Sequence, residues 1–183
     1  MSIQLNSAAS KAAKQSIVPL YKSPFQFGIF LSKFNQSQMA FGLLKNLNEF
    51  FGKPQNIDIY LYTLEHSLPI IVPPTSLFQR PHLENHEGHL VVTDFQTWQQ
   101  AIRIDGAKVL FYVYDLLYLS MMPANLLREI QDAGTVCFSH TTAHNNILEK
   151  MFKFKVPNKV CHTFNIEQLI GVVREQDART NFI

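Results

Sequence analysis

The chain is short of cysteine, short of charge and has no long apolar run, and each shortage removes a class of protein. Only Cys137 and Cys161 are present, in no CxxC pattern, so a disulfide scaffold and a thiolate metal site both lack their residues. A bridge between the two would need neighbouring strands; two buried thiols in a reducing compartment is the simpler reading. Charged residues make up 16%, with a net charge of +2 and a pI near 8.5. That is too mild for a dedicated nucleic-acid binder, which clusters Lys and Arg and has a domain pI above ~9. The one loose basic group, Lys150, Lys153, Lys155 and Lys159, reads as a solvated helix end. No stretch approaches the ~20 apolar residues of a membrane span, and the N-terminus has no secretory apolar core. A soluble cytoplasmic protein, with no nucleic-acid partner and no transmembrane segment, is the expectation.

What the chain does have is apolar material in short, regularly spaced blocks. Hydrophobic residues are 46% of 183, enough for one full core and one domain. Residues 1–22 are rich in Ser, Ala, Lys and Gln without an apolar stripe and read as a flexible arm. Phe25–Leu31 is a first strand; Met39, Leu43, Leu47 and Phe50 follow at helical spacing, and Gly52 with Pro54 stop that helix. Ile57–Tyr62 completes a β-α-β unit. Leu68–Val72 reads as a short edge strand and residues 73–88 as a long exposed connection.

Regular alternation then resumes. Strand His89–Val92 leads to a helix capped by Asp94, with Phe95, Trp98 and Ile102 on one face. Strand Lys108–Tyr114, a helix from Pro123 to Gly134, strand Thr135–Phe138 and a helix capped by Ser139 or Thr141 come next, then strand Lys159–Thr163. Asn165 with Gln168 resembles a capping box and Phe164 with Leu169 a hydrophobic staple, opening a last helix to about Arg174. Residues 176–183 read as a polar tail. Strands alternating with helices over 23–175 predict a doubly wound, mostly parallel α/β sheet with helices on both faces, Rossmann-like and a single domain. Flavodoxin-like and dinucleotide-fold strand orders both stay open.

Ligands of such sheets bind beyond the carboxyl ends of the strands, so the polar residues there form the candidate site. The unbroken apolar run from Val109 to Tyr114 has the pattern of a central strand covered on both faces, and it ends in Asp115. Asp94, Asp115 and His140 are the candidate catalytic residues. Each has a plain alternative: Asp94 as a helix cap, Asp115 as a strand terminator, His140 as a cap or packing group. Ser139, Thr141, His162 and Asn165 stand at strand ends as ligand-binding candidates. The first β-α turn, Ser32-Lys33-Phe34-Asn35-Gln36-Ser37, holds none of the glycines that let a backbone approach a pyrophosphate. That counts against NAD or FAD, and no cofactor is implied. Ser32, Lys33, Asn35, Gln36 and Ser37 can serve a smaller anion such as a sugar phosphate, or simply cap the helix.

Two eye-catching patterns carry less. His82-x3-His86-x2-His89, with Glu84 and Glu87, has ligand types suited to zinc or iron. Pro81 and Gly88 make the segment a loop, no fourth ligand is specified, and it reads as a polar surface loop without a metal. Ser139 and His140 are adjacent on a predicted strand end, so their side chains should point to opposite faces and form no nucleophilic couple. No G-x-S-x-G elbow accompanies them.

Three passages carry a family resemblance: Phe27-Gly-Ile-Phe-Leu-Ser32 with Met39-Ala-Phe-Gly-Leu-Leu-Lys-Asn-Leu47; Phe111-Tyr-Val-Tyr-Asp115; and Thr135–His144 with Val160–Asn165. Together, Gln26 to Val173 resembles the N-terminal half of a two-domain glycosyltransferase of the B-type fold, as encoded by large tailed bacteriophages. The resemblance implies an acceptor-binding half, with His140, Asp115 or Asp94 deprotonating an acceptor hydroxyl. It also implies a sugar or sugar-phosphate ligand, a second subunit or homodimer that completes the cleft, and, for a phage protein, the host cytoplasm. The glycine-rich acceptor loop of that family is missing, and so is its nucleotide-sugar half, so a split or degenerate transferase is the form expected. A non-catalytic protein-interaction module is the alternative; the missing phosphate loop and 15 phenylalanines motivate it.

Overall fold

The computed structural model describes residues 25–34, 38–52, 57–65, 77–79 and 83–180. The expected arm at 1–22, the edge strand at 68–72, His82, and Asn35, Gln36 and Ser37 of the first turn lie outside the described residues. Six strands form one all-parallel sheet: β1 (Gln26–Leu31), β2 (Asp58–Thr63), β3 (Leu77–Gln79), β4 (Gly88–Val92), β5 (Ala107–Tyr112) and β6 (Val136–Phe138). Their order is β3-β2-β1-β4-β5-β6. This is the order of dinucleotide-binding folds, with its topological switch between β1 and β4, and the flavodoxin-like alternative falls away. The helices are α1 (Gln38–Phe51), α2 (Phe95–Ala101), α3 (Leu116–Ser120), α4 (Ala124–Asp132), α5 (Thr142–Lys150) and α6 (Ile166–Thr180), with a 3-10 turn at His162–Phe164. Among the described residues no helix is long and apolar enough to cross a membrane.

The period-two alternation of strand side chains divides the core between the two faces of the sheet. Phe27, Ile29 and Leu31 of β1 pack with α1 and α6, whereas Phe30 joins Val92, Phe111 and Trp98 on the opposite face. In α1 the residues Ala40, Leu43, Leu44 and Leu47 are buried, the i, i+3, i+4, i+7 stripe of a helix laid on a sheet. Each such leucine contributes about 1.5–3 kcal/mol of burial. On β1, Gly28 makes room for three side chains: a Cβ there would stand 2.6 Å from Leu90 Cδ1 and 2.9 Å from both His86 Cε1 and Tyr62 Cε2. Gly134 ends α4 at φ +64°, a left-handed conformation that suits glycine.

Several expectations need correcting. The run Lys108–Asp115 belongs to β5, one place out from the central pair β1 and β4; strands covered on both faces are apolar wherever they lie, so the length of the run does not report position. Lys159–Thr163 is not a strand. Pro157 has no N–H to give, and the amides of Asn158 and Lys159 turn to the Glu175 carboxylate at 2.9 and 3.1 Å. The connection at 73–88 contains β3, which pairs with β2. A short helix, α3, follows Asp115 where none was expected. Ile102 is exposed rather than on the buried face of α2. The polar tail is largely helix: α6 runs to Thr180 because Gln176 is buried and Asp177 meets His89.

Candidate functional site

At the carboxyl ends of β5 and β6 the chain gathers four rings. Tyr114 follows β5, His140 follows β6, His144 lies one turn into α5, and His162 opens the 3-10 turn. The His140 ring centroid stands 4.4 Å from that of His144, 6.3 Å from that of His162 at an interplanar angle of 16°, and 6.3 Å from that of Tyr114. Burial and the nearby imidazoles of His144 and His162 lower the pKa of His140, so it is neutral at pH 7.

Ser139 sets the direction of that ring. It is fully buried, and its hydroxyl donates to the Val113 carbonyl at 2.6 Å. With its proton committed, Ser139 Oγ can only accept, and His140 Nδ1 at 3.3 Å is placed to donate. His144 Nδ1 lies 3.5 Å from the same oxygen. Neutral His140 therefore carries its proton on Nδ1 and keeps Nε2 as an acceptor. The expectation that Ser139 and His140 point apart is wrong: both lie beyond the end of β6, where strand alternation no longer holds. Ser139 is still no nucleophile, since a backbone carbonyl holds its proton and no water reaches it.

Buried and half-buried polar side chains hold this rim. Asn145 Oδ1 accepts from Ser139 N at 2.8 Å, and its amide nitrogen donates to the carbonyls of Pro157 and Lys159 at 3.4 and 3.3 Å. Thr163 and Phe164 sit at φ 44° and 55°, an uncommon region for non-glycine residues. Asn46 of α1 donates to both of their carbonyls, at 2.8 and 3.0 Å, and Tyr112 Oη donates to Cys161 O at 3.0 Å. The strained turn that presents His162 is thus fixed from two sides.

The remaining candidates separate by role. Asp94 is a helix cap: its carboxylate accepts from Thr97 N at 2.9 Å, and the Thr97 hydroxyl closes the reciprocal capping box. Asp115 likewise caps α3 by accepting from Leu117 N at 2.8 Å. Neither carboxylate hydrogen-bonds or ion-pairs with His140 among the described residues. Of the two proposed caps for α5, Thr141 is the one used. Asn165 caps α6 through Gln168 N at 3.0 Å, but Gln168 reaches back to His162 N rather than to Asn165 N, so the capping box is half formed. Ser32 accepts from Thr63 and Glu65 through its carbonyl, and Lys33 is exposed. The rim thus brings together Ser139, His140, Thr141, His162 and Asn165; Asp94 and Asp115 act at helix starts. Tyr114, His144, Asn46 and Asn145 were not among the candidates, and only the i, i+4 spacing of His140 and His144 hinted at one of them.

The histidines of the expected surface loop are buried instead, His86 at 4% exposure and His89 at 3%. His86 Nε2 faces the His89 carbonyl at 2.9 Å, an atom that only accepts, so Nε2 holds the proton and Nδ1 accepts from Tyr62 Oη at 3.0 Å. Burial lowers the pKa of both histidines and pushes Tyr62 up to about 12. His89 Nδ1 lies 3.3 Å from Asp177 of α6. This constellation fastens β2, β4 and α6, and no group of three His, Cys, Asp or Glu among the described residues is arranged to hold a metal ion. Cys137 and Cys161 are free and buried, and burial raises both thiols, Cys161 to about 12.

These features define a Rossmann-like α/β domain with a histidine-rich carboxyl rim. Compared with protein-family models, curated proteins and solved structures, the chain matches none.

Proposed function

We propose that this domain is the acceptor-binding half of a glycosyltransferase-like protein, taking a sugar or sugar phosphate at the rim of Tyr114, His140, His144 and His162. The observation that carries the reading is the orientation of His140. A neutral imidazole with Nδ1–H directed at Ser139 Oγ keeps Nε2 to accept a ligand hydroxyl. The neighbouring ring faces offer an apolar surface to the C–H side of a sugar, and Thr141, His162 and Asn165 add polar groups. In transfer, His140 Nε2 takes the acceptor proton as the acceptor oxygen bonds to the anomeric carbon. The bond from that carbon to the nucleotide diphosphate breaks. The nucleotide-sugar comes from a second domain or subunit that completes the cleft, because the first β-α turn of this chain has no phosphate-cradling glycines. Asp94 and Asp115 are structural in this scheme.

A thermal-shift series with free sugars, sugar phosphates, UDP-, GDP- and ADP-sugars and the bare nucleotides tests it. A ligand at a hundredfold its dissociation constant stabilises by about 2.7 kcal/mol. The expected result is a response to a sugar or sugar phosphate that is lost in His140→Ala and His162→Ala and kept in Asp94→Ala, which loses only the ~1 kcal/mol of a cap. Silence toward every sugar sinks the reading. A second reading, a non-catalytic interaction module, is favoured by the exposed apolar side chains beside the rim: Leu117 at 62%, Tyr118 at 41% and Met121 at 75%. A sugar-silent rim with self-association abolished by Leu117→Asp would select it.

A further inference from the structure

The amino edge of the sheet, opposite the histidine rim, carries a cavity of about 680 Å³. Its walls come from the starts of β5 and β6, the end of α4 and the last turns of α6. Ile102, Val109, Leu110 and Val136 supply apolar lining; Lys108, Lys155 and Arg179 supply charge. Among the described residues no carboxylate lines it.

Lys108 lines this cavity from the start of β5, where its side chain is exposed. Strand alternation puts it on the same sheet face as Leu110 and Tyr112, which belong to the core beneath α6, and its Cα partner across the ladder is the buried His89. At this amino end of the strand its stem leaves the core and its ammonium reaches water beside the apolar wall. From the other side Lys155 reaches in over Gly134, where a Cβ would stand 3.2 Å from its Nζ. Neither Lys108 nor Lys155 has an ion-pair partner among the described residues. Arg179 is paired with Glu175, with Nη2 to Oε1 at 2.6 Å, and Asp177 meets the ring of His89, which burial keeps neutral. Two lysines without an ion-pair partner among the described residues thus stand beside an apolar wall, in a space of the size that small organic ligands fill.

We propose that this cavity binds a small organic phosphate with an apolar or aromatic body, its dianion met by Lys108 and Lys155 with Arg179 contributing. Lysines act as point charges toward phosphate, and the wall of Ile102, Val109 and Val136 holds the body. The site is separate from the sugar rim and does not depend on it.

Calorimetric titration of the full chain with phenyl phosphate, AMP, inorganic phosphate and adenosine tests this. Phenyl phosphate or AMP should bind saturably, more tightly than inorganic phosphate, with adenosine weakest. Lys108→Gln and Lys155→Gln should each weaken that binding by about tenfold or more, the loss of one charge-assisted contact. His140→Ala and the distant Lys45→Gln should leave it unchanged, so failure here and failure at the rim are told apart. In the unaltered protein, saturating phenyl phosphate should shield Lys108 and Lys155, but not Lys45, from acylation mapped by mass spectrometry, a readout that does not depend on the variants folding. Absence of saturable binding by phenyl phosphate and AMP into the millimolar range, or binding that both lysine variants retain, overturns the proposal.

Discussion

Gly28→Ala should destabilise this protein although it adds a single methyl group and improves strand propensity. Removing glycine from an unfolded chain normally stabilises by about 0.4–1 kcal/mol through lost conformational freedom. Against that gain stand the three close approaches to the new Cβ, at 2.6 Å from Leu90 Cδ1 and 2.9 Å from the rings of His86 and Tyr62. Leu90 alone can give way by a rotamer change, at a cost set by its complete burial. The two rings cannot, because Tyr62 Oη and His86 Nδ1 hold each other at 3.0 Å and His86 Nε2 holds the His89 carbonyl. Overpacking of a tight core costs about 1–3 kcal/mol, and more if the Tyr62–His86 bond opens inside the protein. The net expectation is a loss of about 2 kcal/mol, or a Tm lower by ~4–8 °C for a chain of this size. Urea unfolding followed by far-UV circular dichroism, with the m value unchanged, measures it. The double variant Gly28→Ala, Leu90→Ala should show favourable coupling, since the second change removes the closest clash. A neutral or stabilising Gly28→Ala refutes the packing account of β1.

Two further outcomes follow. The folded-state pKa values of His86 and His89 lie below their ordinary value of 6.5 because both are buried. Below that value the unfolded chain binds more protons than the folded one, so their contribution is full above pH 6.5 and is lost as pH falls below it. Differential scanning calorimetry across that range should show Tm dropping with acidity; a Tm that rises refutes neutral burial. Asn145→Ala strands the buried Ser139 N–H and should cost about 1–3 kcal/mol in urea titration, whereas exposed Asn146→Ala should stay within ~0.5 kcal/mol.

What could be read from the sequence was local. The stripe of α1, its stop at Gly52, the Asp94 cap and Gly134 after α4 are short-range patterns, and the alternation of strands with helices followed from them. What escaped was made by partners distant in the chain. His86 looked like part of a polar loop because nothing nearby announces that Tyr62 will meet its ring, and Lys159–Thr163 looked like a strand because Glu175 is out of view. The candidate rim was legible at the end of β6, where His140 stands; His162 was read as the end of a strand that does not form, and it reaches the rim from the 3-10 turn. The supports were not: Asn46 and Asn145 sit inside helices, where an amide side chain carries no signal until its carbonyl and amide partners are folded against it.

The segment that fails to become a strand has an effect beyond the rim. β6 is the last strand on its side of the sheet, and an open edge of that kind invites pairing with another chain. Here Cys137 N donates to Lys155 O, and Cys161 N donates to Ser139 O, so the chain itself occupies that border at two points. Between them Pro157 has no hydrogen to offer, and the next two amides face inward to Glu175. A neighbouring molecule therefore finds this border already occupied, and assemblies of this protein that grow by sheet continuation past β6 are disfavoured.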